Sequence, residues 1–187
     1  MVLLFGVLIG VLAGLALGGT FDRLADIKLR GSALFGIVLA VQVVAFPSGL
    51  LPFQISDSVA TGLWLSSYAA LVLLAVLNRK LRGFPIAAAG TLSNLAAVLA
   101  NGGHMPALPG ALADAGTPIE RLHNNSVLVD HPNLSWLIDR WGAPDWVPAA
   151  NVYSVGDLLL AAGTIVIVSA AMGATRPHAL LPRTQRG

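Results

Sequence analysis

The chain contains no cysteine, and it is poor in charge and in aromatic residues. The missing cysteine removes disulfides, thiolate nucleophiles, iron–sulfur clusters and cysteine zinc sites together, and leaves the redox compartment open. Only 11% of the 187 residues are charged and 6% aromatic, whereas 56% are hydrophobic. An ordinary soluble domain carries about 25% charged residues, so a mean hydropathy of +0.77 speaks against one. A formal net charge of +2 and a pI near 9.5 could signal nucleic acid in a soluble protein. Here the basic residues sit beside apolar runs and read as topology signals, so no nucleic-acid partner is expected. Phosphate-binding Gly loops, a Gly-x-Ser-x-Gly elbow and a His-Glu-x-x-His pair are also absent. His123 and His131 with Asp130 or Asp139 match no recognised zinc spacing. No metal and no cofactor are expected.

Long apolar runs are what the chain has in their place. A membrane helix needs about 20 apolar residues, and five stretches qualify: 2–19, 32–50, 58–77, 84–100 and 154–173. Together they hold one charge, Asp157. Backbone groups in lipid must be bonded internally, so each run is expected to be helical. The first run lacks a positive leading segment and is read as a retained helix rather than a cleaved signal. Nine of the eleven basic residues fall in three segments: Arg23, Lys28 and Arg30; Arg79, Lys80 and Arg82; and Arg176, Arg183 and Arg186 in the tail 174–187. Five spans put these on one side, and the positive-inside rule makes that side cytoplasmic. The expected architecture is one all-α membrane domain over 1–187, in the inner membrane, with the N-terminus outside and the C-terminus in the cytoplasm.

Residues 101–153 form a long outer segment with six prolines, too long for an idle connection. Leu134, Leu137, Ile138 and Trp141 recur at near-helical spacing, with Asp139 and Arg140 opposite. With Trp136 and Trp146 nearby, the segment is expected to be a cap of short interfacial helices on the outer surface.

Four glycines in the first run, Gly6, Gly10, Gly14 and Gly18, stand at i+4 spacing and make a smooth stripe for close helix packing. The partner helix is in the same chain, in a second copy or in a larger membrane complex. At the outer end of the fourth run, Asn101-Gly102-Gly103-His104-Met105-Pro106 contains a helix stop. A stop does not call for a His and a Met beside it. Entering the fifth run, Asn151-Val152-Tyr153-Ser154-Val155-Gly156-Asp157 has the spacing of a capping box with Asp in place of Glu. Intramembrane acids point to function, and depth makes Gln42 and Asn94 level with Asp157, with Asn101, His104 and Asn151 at the rim. These residues, with Gly102, Gly103, Met105, Pro106 and Ser154, are the candidate ligand-binding set. Whether they line a pocket or form a buried network is open, because sequence gives levels and not angles.

The Gly-rich first run, Gln42, Asn94 and these two rim motifs together resemble a family of small bacterial integral membrane proteins known only as a domain of unknown function. The resemblance implies a polytopic inner-membrane protein and suggests that the two motifs belong together. Three functional readings stand. The first is a non-catalytic subunit that binds a lipid or small molecule or helps assemble a complex. The second is an intramembrane enzyme acting on a lipid-linked substrate, with Asp157 and His104 as candidate catalytic groups. The third is a transporter component, weakened because ion relays generally use more than one intramembrane ionisable group.

Overall fold

The structure, a computed structural model, describes residues 2–45, 55–116, 126–129, 131–144 and 152–173. The chain is mostly helical. Its elements run α1 (Val2–Ala16), α2 (Phe21–Ala25), α3 (Ala33–Ala45), α4 (Asp57–Leu77), α5 (Phe84–Ala100), β1 (Met105–Pro106), α6 (Pro109–Asp114), β2 (Ser126–Val127), β3 (Trp141–Gly142), β4 (Val152–Tyr153) and α7 (Val155–Ala171). Helices thus occupy the five apolar runs. Among the described residues one of them, over Ser58–Leu77, is long and apolar enough to cross a membrane, and the other four apolar helices have 10–17 residues. The difference from five full-length spans arises partly where runs end in glycine turns. Gly19 N–H bonds Gly14 O at 2.8 Å and Gly18 N–H bonds Leu15 O at 3.0 Å. With Gly18 at φ +81°, these are the paired bonds of a left-handed helix stop.

The last helix lies in the middle. α7 packs between α1 and α5, α5 packs on α4, and α4 on α3, so the helices stand in the order α1, α7, α5, α4, α3. Glycines set both faces of α7. A Cβ on Gly10 would stand 2.8 Å from Val168 Cβ, and one on Gly14 would stand 2.5 Å from Met172 Sδ, while Gly6 rests on Ala161 and Thr164. α1 therefore runs parallel to α7, and the stripe's partner is a helix of the same chain. Gly18, counted in the stripe by spacing, has nothing within 4 Å and serves the turn instead. On the other face, Gly83 meets Gly163 and Ile167, and Gly90 meets Gly156 and Leu160, an antiparallel seam. A Cβ on Gly90 would lie 2.5 Å from Gly156 O. Such small residues let helix backbones approach closely.

Two asparagines at helix C-caps tie the ends of the bundle. At one end Asn78 accepts from Arg30 N–H at 3.0 Å and donates to Arg30 O at 2.9 Å. At the other, Asn101 accepts from Asn133 N–H at 2.9 Å and donates to Asn133 O at 3.0 Å. Each amide binds both backbone groups of one distant residue, as a neighbouring strand would.

The described residues of 101–153 differ from the expected row of interfacial helices. They hold one short helix, α6, and paired strands: β1 with β2 in parallel, β3 with β4 antiparallel. Residues 134–141 are not helical. Leu134 has φ +50°, a strained value for a leucine. Leu137, Ile138 and Asp139 are buried in succession, whereas Leu134 and Trp141 are exposed. Three consecutive buried residues cannot share one helix face. Asp139 is instead held by strand-like bonds, its N–H to Pro106 O at 3.0 Å and its carbonyl from Leu108 N–H at 2.9 Å. Three small apolar clusters result: Leu74, Ala75 and Phe84 at one end; Trp64, Ala97, Val98, Met105 and Leu137 at the other; and Ala107, Ala111, Leu112, Ala115 and Val152 inside the cap.

Replacing Gly10 with leucine overpacks the α1–α7 seam and should cost about 1–3 kcal/mol, read as a lower melting temperature of the detergent-purified protein. Gly62→Ala, in open space on α4, should leave it unchanged or raise it slightly through helix propensity. Equal melting temperatures for both variants would contradict the seam.

Candidate functional site

Ser154 precedes α7 in an extended conformation, and its hydroxyl accepts from Asp157 N–H while the Asp157 carboxylate accepts from Ser154 N–H, a complete capping box. The acid is thereby fixed at a helix N-terminus, where the dipole favours negative charge. Gly156 lies next to it and faces α5, and any Cβ there would overlap the Asn94 side-chain oxygen. With Gly90 one turn before Asn94, the two backbones come close enough for Asn94 to reach across. Its Nδ2 donates to Asp157 Oδ1 at 3.0 Å, and its Oδ1 lies 2.8 Å from Ser154 Oγ. Ser154 Oγ also lies 2.8 Å from Asp157 Oδ2, which accepts from Ser154 N–H at 2.9 Å. The single hydroxyl hydrogen can serve one of its two acceptors at a time, so Ser154 is the adjustable member of the set. Ser154 is fully buried and Asn94 nearly so.

A second carboxyl group stands beside this set. The β3–β4 register pairs Trp141 with Tyr153, and Arg140 N–H bonds Tyr153 O at 2.9 Å. Continued by two residues, that register puts Asp139 opposite the first turn of α7. Asp139 is 6% exposed, and no hydrogen bond or ion pair to its carboxyl group is found among the described residues. Burial first, and the charge of Asp157 second, push it up to about 8. Burial and the same charge raise the Tyr153 hydroxyl above its usual range. Tyr68 of α4 lies within electrostatic reach of both carboxyl groups. It stands edge-on to Trp64, with centroids 5.4 Å apart.

Of the residues singled out in the sequence, Asn94, Ser154 and Asp157 come together. Gln42 does not join them. It is half-buried on α3, which packs on α4 at the far side of the row. Asn101 is engaged in the clasp with Asn133. Gly102 and Gly103 both have positive φ, and Gly103 N–H closes the α5 turn on Val98 O at 2.9 Å. Met105 is in the apolar cluster with Trp64, and Pro106 is fully buried. Most of that motif therefore builds the helix stop and the first cap strand. His104 is half-buried with Nδ1 unpartnered, and no hydrogen bond joins it to Asp157 among the described residues. Asn151 lies outside the described residues, as do His123 and Asp130. No group of three or more His, Asp or Glu able to hold a metal occurs among the described residues. Tyr68 was not singled out, Asp139 was weighed only as a zinc ligand and on a polar face, and Tyr153 was named only within the motif that enters the fifth run. The helical reading of 134–141 put Asp139 on the polar face, and only its strand-like backbone bonds turn it inward.

The arrangement is a helical bundle, one end of which holds two carboxyl groups in unequal surroundings. Residues 26–169 match the family described as a family of unknown function (DUF5317), and the chain belongs to that family. The match includes Asn94, Asp139, Ser154 and Asp157 and begins after α1 and its glycines. No curated protein and no solved structure matches the chain.

Removing Asn94 leaves Asp157 Oδ1 without its donor, so Asn94→Ala should cost about 1–3 kcal/mol, measured by thermal unfolding in detergent. A cost near zero would count against the network. The pH dependence follows from Asp139. Between its ordinary value of 3.8 and about 8 the folded chain holds a proton that the unfolded chain has released. Stability therefore falls as pH rises through that window, by roughly 1.4 kcal/mol per unit, and levels off above it. Melting temperatures from pH 5 to 9 should show this decline in the wild type and a flatter profile in Asp139→Asn. Matching profiles would contradict the assignment.

Proposed function

We propose that this chain is a five-span integral membrane protein of the inner membrane that binds a lipid or other small molecule non-catalytically at its outer end. The outward face of α1 carries the membrane reading. Leu4, Leu8 and Leu12 are 63%, 54% and 58% exposed, and α1 has no charged or polar side chain. Contiguous exposed apolar faces of this kind are rare on soluble monomers, and this one suits lipid tails. The bilayer is thus the first partner. The Asn78–Arg30 clasp supports the topology, because it joins the loop carrying Arg23, Lys28 and Arg30 to the loop carrying Arg79, Lys80 and Arg82. Two basic loops at one end fit the cytoplasmic side. Assembly with a second copy through the glycine stripe is less favoured than assembly through other faces, because α7 occupies the stripe.

Binding is preferred to catalysis because of how Asp157 is held. Both oxygens of its carboxyl group are engaged by Asn94 and Ser154. A general base needs a free oxygen within reach of the proton it takes, and His104 has no bond to this group. The set fixes a helix junction and leaves its neighbour, Asp139, available.

The cysteine-free sequence allows single cysteines to be tested in intact cells with an impermeant thiol reagent. Ser135→Cys, in the exposed cap, should be labelled, while Arg79→Cys should react only after the membrane is opened. Recovery of the protein in the soluble fraction, or labelling of Arg79→Cys in intact cells, would contradict the proposal.

A further inference from the structure

We infer that the outer end of the bundle binds an organic cation, an amine or quaternary ammonium group, with Asp139 as its counter-ion and the Trp64–Tyr68 ring pair beside it. The inference rests on the binding reading above and names the ligand class. Buried carboxyl groups ordinarily have a partner. Asp157 has Asn94 and Ser154, whereas Asp139 has none among the described residues despite being more than nine-tenths buried. Among the described residues, the titratable groups that act on it electrostatically are acidic: Asp157 from α7 and Tyr68 from α4. The adjoining cation, Arg140, is exposed and donates to Ser135 O at 3.2 Å, away from Asp139. Ala107 pairs with Asp139 in parallel, and His104 precedes β1 with its Nδ1 unpartnered. Among the described residues, no positive charge is paired with Asp139. The edge-to-face aromatic pair favours an organic cation over a hydrated inorganic one, because ring faces attract alkylammonium groups.

In the absence of ligand the position is filled by a proton on Asp139. Binding then exchanges one for the other: the carboxyl O–H bond breaks, the proton leaves to water, and the carboxylate pairs with the entering cation. No redox or covalent step is involved. With the carboxyl group at about 8, competition by protons should weaken binding about 50-fold on going from pH 8 to pH 6.

The test uses the full chain in detergent and benzyltrimethylammonium as the probe, with its neutral carbon isostere neopentylbenzene as control. Calorimetry in two buffers of different ionisation enthalpy should show binding of the cation with release of nearly one proton at pH 7, tightening towards pH 8. Asp139→Asn, checked for an intact melting transition, should bind at least tenfold more weakly and release none. Equal binding of both probes, or a cation affinity indifferent to pH and to Asp139→Asn, would overturn the cation site while leaving an apolar binding end in place. Binding of neither probe would overturn the cation site as well. The membrane reading fails separately, through the labelling experiment.

Discussion

The contact on which most of this structure depends is the approach of α7 to α5 at Gly90 and Gly156. No side chain intervenes there, so a carboxyl group on one helix and an amide on the other meet directly. The capping box holds Asp157 at the start of α7, and Asn94 bonds to it from α5. One set of hydrogen bonds therefore begins a helix, joins it to its neighbour and places a carboxyl group at that end of the bundle. The strand-paired cap follows from the same point, because β4 runs straight into Ser154. The position of Asp139 opposite that turn is a consequence of the β3–β4 register.

The two faces of α7 show how a chain with few polar residues fixes its packing. Small residues let helix backbones approach closely, and polar bonds between helices add to the packing. Glycines at 6, 10 and 14 on one side, and at 83, 90, 156 and 163 on two facing helices, supply the approach. The amides of Asn78, Asn94 and Asn101 supply the bonds. Each lies at a helix end or seam, and each is satisfied by a segment distant in sequence.

The helices were legible because apolar runs and their stops coincide. Gly18-Gly19 and Asn101-Gly102-Gly103 end helices where their chemistry says they should, and Ser154 with Asp157 announces a cap. Level along the helices matched Asn94 with Asp157, and the two are bonded. Angle was not legible, and Gln42, expected at the same level, belongs to a helix on the far side of the row. The seven-residue spacing of Gly83 with Gly90 and of Gly156 with Gly163 was a signal of the second seam that the i+4 stripe of α1 overshadowed. In the cap, the spacing of Leu134, Leu137, Ile138 and Trp141 imitated a helix. The tertiary pairing of Asp139 with Pro106 and Leu108 overrode it, and no local pattern reveals that.

A double-mutant cycle on Asn94 and Asp157 tests the central claim most directly. Unfolding free energies in detergent for Asn94→Ala, Asp157→Asn and the double variant isolate the interaction between the two helices. A coupling of roughly 1–3 kcal/mol across the seam is expected. Additive effects, with coupling near zero, would show that the bond does not hold α5 to α7.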